Sequence, residues 1–151
     1  MNGNHILAEG KEEEKSTKKL TNFYNPMCFI DIEMTDPDPK IANIVEIAAY
    51  LVNGDLSEKY LIADFVITQP DVSVIKSEFV VERFKKNGLW DDMQNPDKSL
   101  EINVAEELIM SELMEYGILE RSVPSAGIQT YNDRILLERL MPKFHSFLSF
   151  T

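Results

Sequence analysis

Asp31 and Glu33 are two carboxylates one residue apart, and they follow the apolar run Met27-Cys28-Phe29-Ile30, which reads as a β-strand. Residues two apart on a strand project to one face, so both carboxylates can share a cation while Ile32 points into the opposite layer. Without a cation the two would repel, and one would keep its proton to higher pH. A divalent ion with oxygen ligands resolves that repulsion, and magnesium suits a site built from carboxylate, water and phosphate. An Asp-x-Glu pair is also an ordinary surface or turn feature. The hydrophobicity of the preceding strand favours the metal, because charges placed there need a compensating partner. A third carboxylate, Asp133, opens a helix that follows a short strand near Ile128. A helix-start aspartate commonly serves only as a cap or first-turn residue. Here the strand-to-helix edge lets it face Asp31 across two parallel strands.

The elements that must position these residues can be read from turn signals and periodicity. Residues 1–25 are polar, contain four lysines, four glutamates and no arginine, and read as a flexible extension that buries too little apolar area to offset its ordering entropy. The domain proper is expected over residues 26–151. Two prolines, Pro37 and Pro39, make the segment after Glu33 a turn. A second strand over Asn43–Val52 ends at Asn53-Gly54-Asp55, a hairpin signal leading to a third strand through Tyr60–Thr68. Short helices are expected between Val72 and Leu89 with a stop at Asn87-Gly88, a loop over Asp91–Lys98, and a longer helix over Ser99–Tyr116. A strand within Ser122–Thr130 and a helix from Asp133 that carries Leu136, Leu140 and Phe144 complete the chain. A helix between two strands of one sheet implies a parallel partner for the first strand.

Composition restricts the function. The formal net charge is -11, from 26 acidic against 15 basic residues, which excludes a broad basic surface for long duplex nucleic acid. A carboxylate site still meets phosphate through a bound cation, so small or single-stranded substrates remain open. Cys28 is the lone cysteine and reads as a buried inert thiol; it allows neither an intrachain disulfide nor a thiolate cluster. No apolar run approaches a spanning helix, and no basic-then-apolar leader begins the chain, so a membrane is not an expected partner. The expected location is the cytoplasm, with mitochondria not excluded.

The segments Phe29-Ile30-Asp31-Ile32-Glu33-Met34-Thr35 and Ile44-Val45-Glu46-Ile47-Ala48 resemble the first exonuclease motif and second strand of oligoribonucleases. These are members of the DEDDh 3'-5' exonuclease superfamily, with a ribonuclease-H-like fold. Gly127-Ile128-Gln129-Thr130-Tyr131-Asn132-Asp133, with Leu136-Leu137 and Met141-Pro142, is similar to their second motif, although that family usually has Asn where this chain has Ile128. Weaker similarity runs through Lys76-Ser77-Glu78-Phe79, with Phe79 where the family has tryptophan, and through Asn87-Gly88-Leu89. The resemblance covers about residues 27–150.

The resemblance implies a metal and catalytic set of Asp31, Glu33 and Asp133 holding two Mg2+ or Mn2+ ions, with Asp31 shared by both and Glu33 helping to hold one, and hydrolysis of short single-stranded RNA from its 3' end to nucleoside monophosphates. It implies a terminal-nucleotide pocket lined by Met34 and Thr35, an apolar contact from Phe79, and a homodimer; Glu46 matches a regular residue of the family's second strand and is expected to support the ligands or the structure, not to be a ligand itself. The family's third motif, a histidine and an aspartate five residues later, falls beyond Thr151 in this alignment. Neither His5 nor His145 replaces that general base. The expectation is therefore an α/β exonuclease fold, a mixed sheet with helices on both faces and C-terminally truncated, in a form whose activity is impaired. The alternative is a non-catalytic remnant that holds a nucleotide or another protein.

Overall fold

In the computed structural model, which describes residues 23–128 and 130–149, the chain forms a four-stranded mixed sheet flanked by helices. Strands β1 (Met27–Met34), β2 (Ile44–Val52) and β3 (Lys59–Val66) are consecutive antiparallel neighbours, and the two-residue β4 (Ser125–Ala126) lies parallel to β1. The sheet order β3-β2-β1-β4 is the one the short turns and the crossover helix dictate. The last residues contribute more than expected, because Ser149 forms a parallel bridge with Pro124 and its N–H donates to the Val123 carbonyl at 2.8 Å. The tail therefore flanks β4, and the buried Phe147 and Leu148 hold it there.

Alternation along β1 creates the two layers. Cys28, Ile30 and Ile32 are buried, whereas Phe29 and Asp31 are exposed and Glu33 is half-buried. The buried face joins Ile47, Ala49 and Leu51 of β2 and is covered by α3 (Ile102–Glu115), α4 (Thr130–Leu140) and α5 (Pro142–Phe147) through Ile109, Leu113, Leu136 and Phe144. On the other face α1 (Glu78–Asn87) and α2 (Leu89–Asp92) pack a second cluster, Val45, Ile75, Phe84, Leu89 and Met93. An irregularity opposite Glu33/Met34 lets Val45 leave the main core and serve this second layer.

Local chemistry explains the helix ends. Ser77 caps α1 by accepting from the Val80 N–H, and Gly88 ends it at φ 86, where only glycine is unstrained. The periodicity after Asp133 suggests one helix, but Pro142 cannot continue it, so the chain breaks at Met141 and starts α5. That start is capped from a distance: the buried Glu106 of α3 accepts the N–H groups of Lys143 and Phe144 at 2.7 and 3.0 Å. Glu106→Ala leaves both donors unpaired and is expected to destabilise the fold by about 2 kcal/mol, measured by urea unfolding. An unchanged midpoint would show that the cap contributes nothing.

Residues 1–22 of the predicted extension lie outside the described residues. Phe23 to Asn25 join the fold: Phe23 meets Tyr60 edge-on at 5.6 Å, and the Tyr24 N–H donates to Asn53 at 2.8 Å. Among the described residues no helix is long and apolar enough to cross a membrane.

Candidate metal centre

Asp31 reaches the outer face because it alternates with the buried Ile30 and Ile32, and Asp133 arrives from the first turn of α4. The connection between β4 and α4 passes unusually close to β1. A Cβ on Gly127, whose φ is 152, would lie 2.6 Å from the Ile30 carbonyl oxygen. Only a residue without a side chain permits that approach, and it sets the start of α4 beside Ile30 and Asp31.

Asp133 is 7 % exposed. Burial, and then the negative charge of Asp31, push its carboxyl up to about 7. Beside it is a void of about 10 Å³ bordered by Ser125, Thr130 and Arg134, room for one water-sized group. Asp31 itself lies in a larger open cleft of about 550 Å³, with Phe29 and Tyr50 on one side, Ala48 as floor, and Gly127 and Ile128 opposite. Phe29 and Tyr50 are cross-strand partners, so their rings form a ledge next to the Asp31–Ala48 row.

Glu33 has a different partner. It stands directly opposite Glu46, with Asp64 of β3 one row away beside Ala48. Burial, then Asp64, Glu33 and Asp31 in that order, raise the Glu46 carboxyl above its ordinary range, while Arg83 works against them. Arg83, on α1, forms an ion pair with Glu33. The sequence contains no signal for Arg83, because fifty residues separate it from Glu33. Phe29, in contrast, was legible as the outward residue two before Asp31.

The other expected site residues are spread around this face. Thr35 is buried, and its hydroxyl accepts the Asn43 N–H at 2.8 Å while its own N–H donates to the Asn43 carbonyl, a clasp of the Pro37–Pro39 turn. Met34 packs half-buried against the main core. Phe79 is 74 % exposed on α1, one turn before Arg83. Arg139 of α4 donates to the Pro39 and Ala42 carbonyls, tying the same turn to the helix that bears Asp133. His145 lies on α5, where burial lowers its pKa and its charged neighbours are Glu138 and Arg134, not the acidic face. His5 is outside the described residues.

Among the described residues no group of three or more His, Cys, Asp or Glu is placed to hold a metal ion. A divalent cation at Asp31 and Asp133 would relieve the cost that burial, and then the Asp31 charge, impose on the Asp133 carboxylate, and magnesium needs few protein ligands when water and phosphate supply the rest. Glu33, the remaining expected ligand, is ion-paired with Arg83 in the metal-free chain.

The site is therefore a set of carboxylates on the exposed face of an inner strand of a mixed α/β domain, beside an open cleft with an aromatic side. The chain is 29% identical over 147 residues to a probable oligoribonuclease of Drosophila melanogaster, spanning 97% of this chain and 67% of that protein. It is 27% identical over 125 residues to the oligoribonuclease of Mycobacterium avium, covering 82% of this chain and 57% of the relative. To that of Chromobacterium violaceum it is 26% identical over 127 residues, covering 83% and 68%. The chain thus spans little more than half the length of the mycobacterial relative. No family model matches it. This distant similarity supports assignment at the level of the oligoribonuclease family and a nuclease-like, hydrolase function.

Proposed function

We propose that the chain is a ribonuclease-H-like exonuclease domain that takes the 3'-terminal nucleotide of a very short single-stranded RNA and hydrolyses it to a nucleoside monophosphate, with strongly impaired turnover in this form. The observation that carries this reading is that Asp31, whose charge acts on the buried Asp133, lines an aromatic cleft. Its volume, about 550 Å³, lies in the range of small-ligand sites. The partly exposed rings of Phe29 and Tyr50 offer a base a stacking surface that tolerates any sequence. Asp31 and Asp133 would hold one Mg2+ or Mn2+, which when bound supplies Lewis-acid polarisation of the phosphate. The chain's own residues orient the nucleotide and exclude water on the apolar side.

The impairment is part of this proposal and is supported by the partners that the described residues give the acidic face. Among the described residues no histidine reaches it to take the proton of an attacking water, and Glu33 is engaged by Arg83. That engagement favours, as a second reading, nucleotide binding with little turnover.

The test is hydrolysis of a diribonucleotide in Mn2+, followed by chromatography of released monophosphate. Slow, metal-dependent release is expected, and Asp31→Asn lowers it by about 10²-fold or more while the cleft still binds dinucleotide. Fast release by the unaltered chain would overturn the impairment, and release indifferent to Asp31→Asn would overturn the site.

A further inference from the structure

The corner of the acidic face around Glu33 and Glu46 departs from what a two-cation site requires, and the departure is built by α1. Phe84 is buried, and Val80 and Val81 pack with it against Val45 and Val66 of the sheet, so the helix is anchored directly over this end of β1 and β2. Arg83 neighbours that anchor and projects back to Glu33. Glu33 and Glu46 face each other across the antiparallel pair, an arrangement that is unfavourable without a positive charge nearby. Arginine is suited to supply it permanently, because its planar guanidinium matches a carboxylate and does not deprotonate.

We propose that the Arg83 guanidinium is a resident counter-ion that occupies Glu33 and keeps a divalent cation off it, leaving the chain with a one-cation site at Asp31 and Asp133. The inference deepens the proposed function and rests on its reading of those carboxylates. A divalent ion approaching Glu33 must either displace the guanidinium or sit beside it, and both oppose binding. The Arg83 side chain is 55 % exposed, so it can be replaced without disturbing the core.

The experiment is calorimetric titration of the 151-residue chain with Mn2+ alone, without nucleotide, using the unaltered protein, Arg83→Gln, Arg83→Lys and the double variant Arg83→Gln/Glu33→Gln. Circular dichroism melts confirm that each is folded. Arg83→Gln is expected to gain one equivalent of Mn2+ or to bind it about tenfold more tightly. Arg83→Lys, which keeps the charge, is expected to stay near the unaltered protein, and the double variant to lose the gain. The proposal is overturned when Arg83→Gln binds Mn2+ no better than the unaltered chain, when Arg83→Lys matches Arg83→Gln, or when the gain survives loss of Glu33. Failure to hydrolyse a dinucleotide leaves this result untouched. Absence of the Mn2+ gain likewise leaves hydrolysis through Asp31 standing.

Discussion

Gly127→Ala is expected to lower the stability of the chain by about 3 kcal/mol or more and to separate Asp133 from Asp31. The new methyl would sit 2.6 Å from the Ile30 carbonyl oxygen, and that oxygen belongs to the central strand, which cannot yield without breaking its ladder. The φ of 152 adds backbone strain for any L side chain. Relief comes only from pushing the β4–α4 connection outward, which carries the first turn of α4 and Asp133 with it. The melting temperature should fall by roughly 6–12 °C. The Asp133 carboxyl, freed from its buried place beside Asp31, should titrate closer to its ordinary value in an NMR pH series. A melting point within a degree of the parent would show that the close approach is not required.

Asp133→Asn should do the reverse and stabilise the metal-free chain at alkaline pH by about 4 kcal/mol, with little effect at pH 4. The sign follows from proton binding. The Asp133 carboxyl is raised from 3.8 to about 7 in the folded chain, first by burial and then by Asp31. Between those values the folded state holds a proton that the unfolded state has released, so stability falls as pH rises through that window. Above about 7 the buried carboxylate is charged and its full cost is present. Asparagine cannot ionise, so the difference between the two proteins should open from pH 4 to pH 8 in the presence of a chelator. A difference independent of pH would mean that this carboxylate ionises freely in the fold. Mn2+ should stabilise the parent and not the asparagine variant, because only the carboxylate attracts the ion.

How far these features could be read in advance depends on the range of the interactions behind them. Alternation along Phe29 to Glu33 places Asp31 and Glu33 on one face, since the pleat has a strict period of two. The hairpin at Asn53-Gly54-Asp55 and the crossover through α3 determine the strand order, because short turns leave antiparallel neighbours and long crossovers leave parallel ones. The break before α5 was visible as Pro142 but hidden by the continuing apolar period of Leu140 and Phe144. Glu106 reads as a solvent-facing helix residue, and its burial as the cap of α5 depends on two helices meeting.

The amino-acid order alone thus determined the mixed sheet, the outward pair Asp31 and Glu33 and the nomination of Asp133, all consequences of local periodicity and turn chemistry. Tertiary structure decided which partners those carboxylates meet. Gly127 lets Asp133 come beside Asp31, and α1 sets Arg83 on Glu33. Both depend on backbone and side chains brought together from distant parts of the chain, where packing and charge, not sequence spacing, choose the partner. The pair with which the sequence reading began is therefore divided in the fold: Asp31 lines the cleft and its charge acts on the buried Asp133, whereas Glu33 is ion-paired with Arg83.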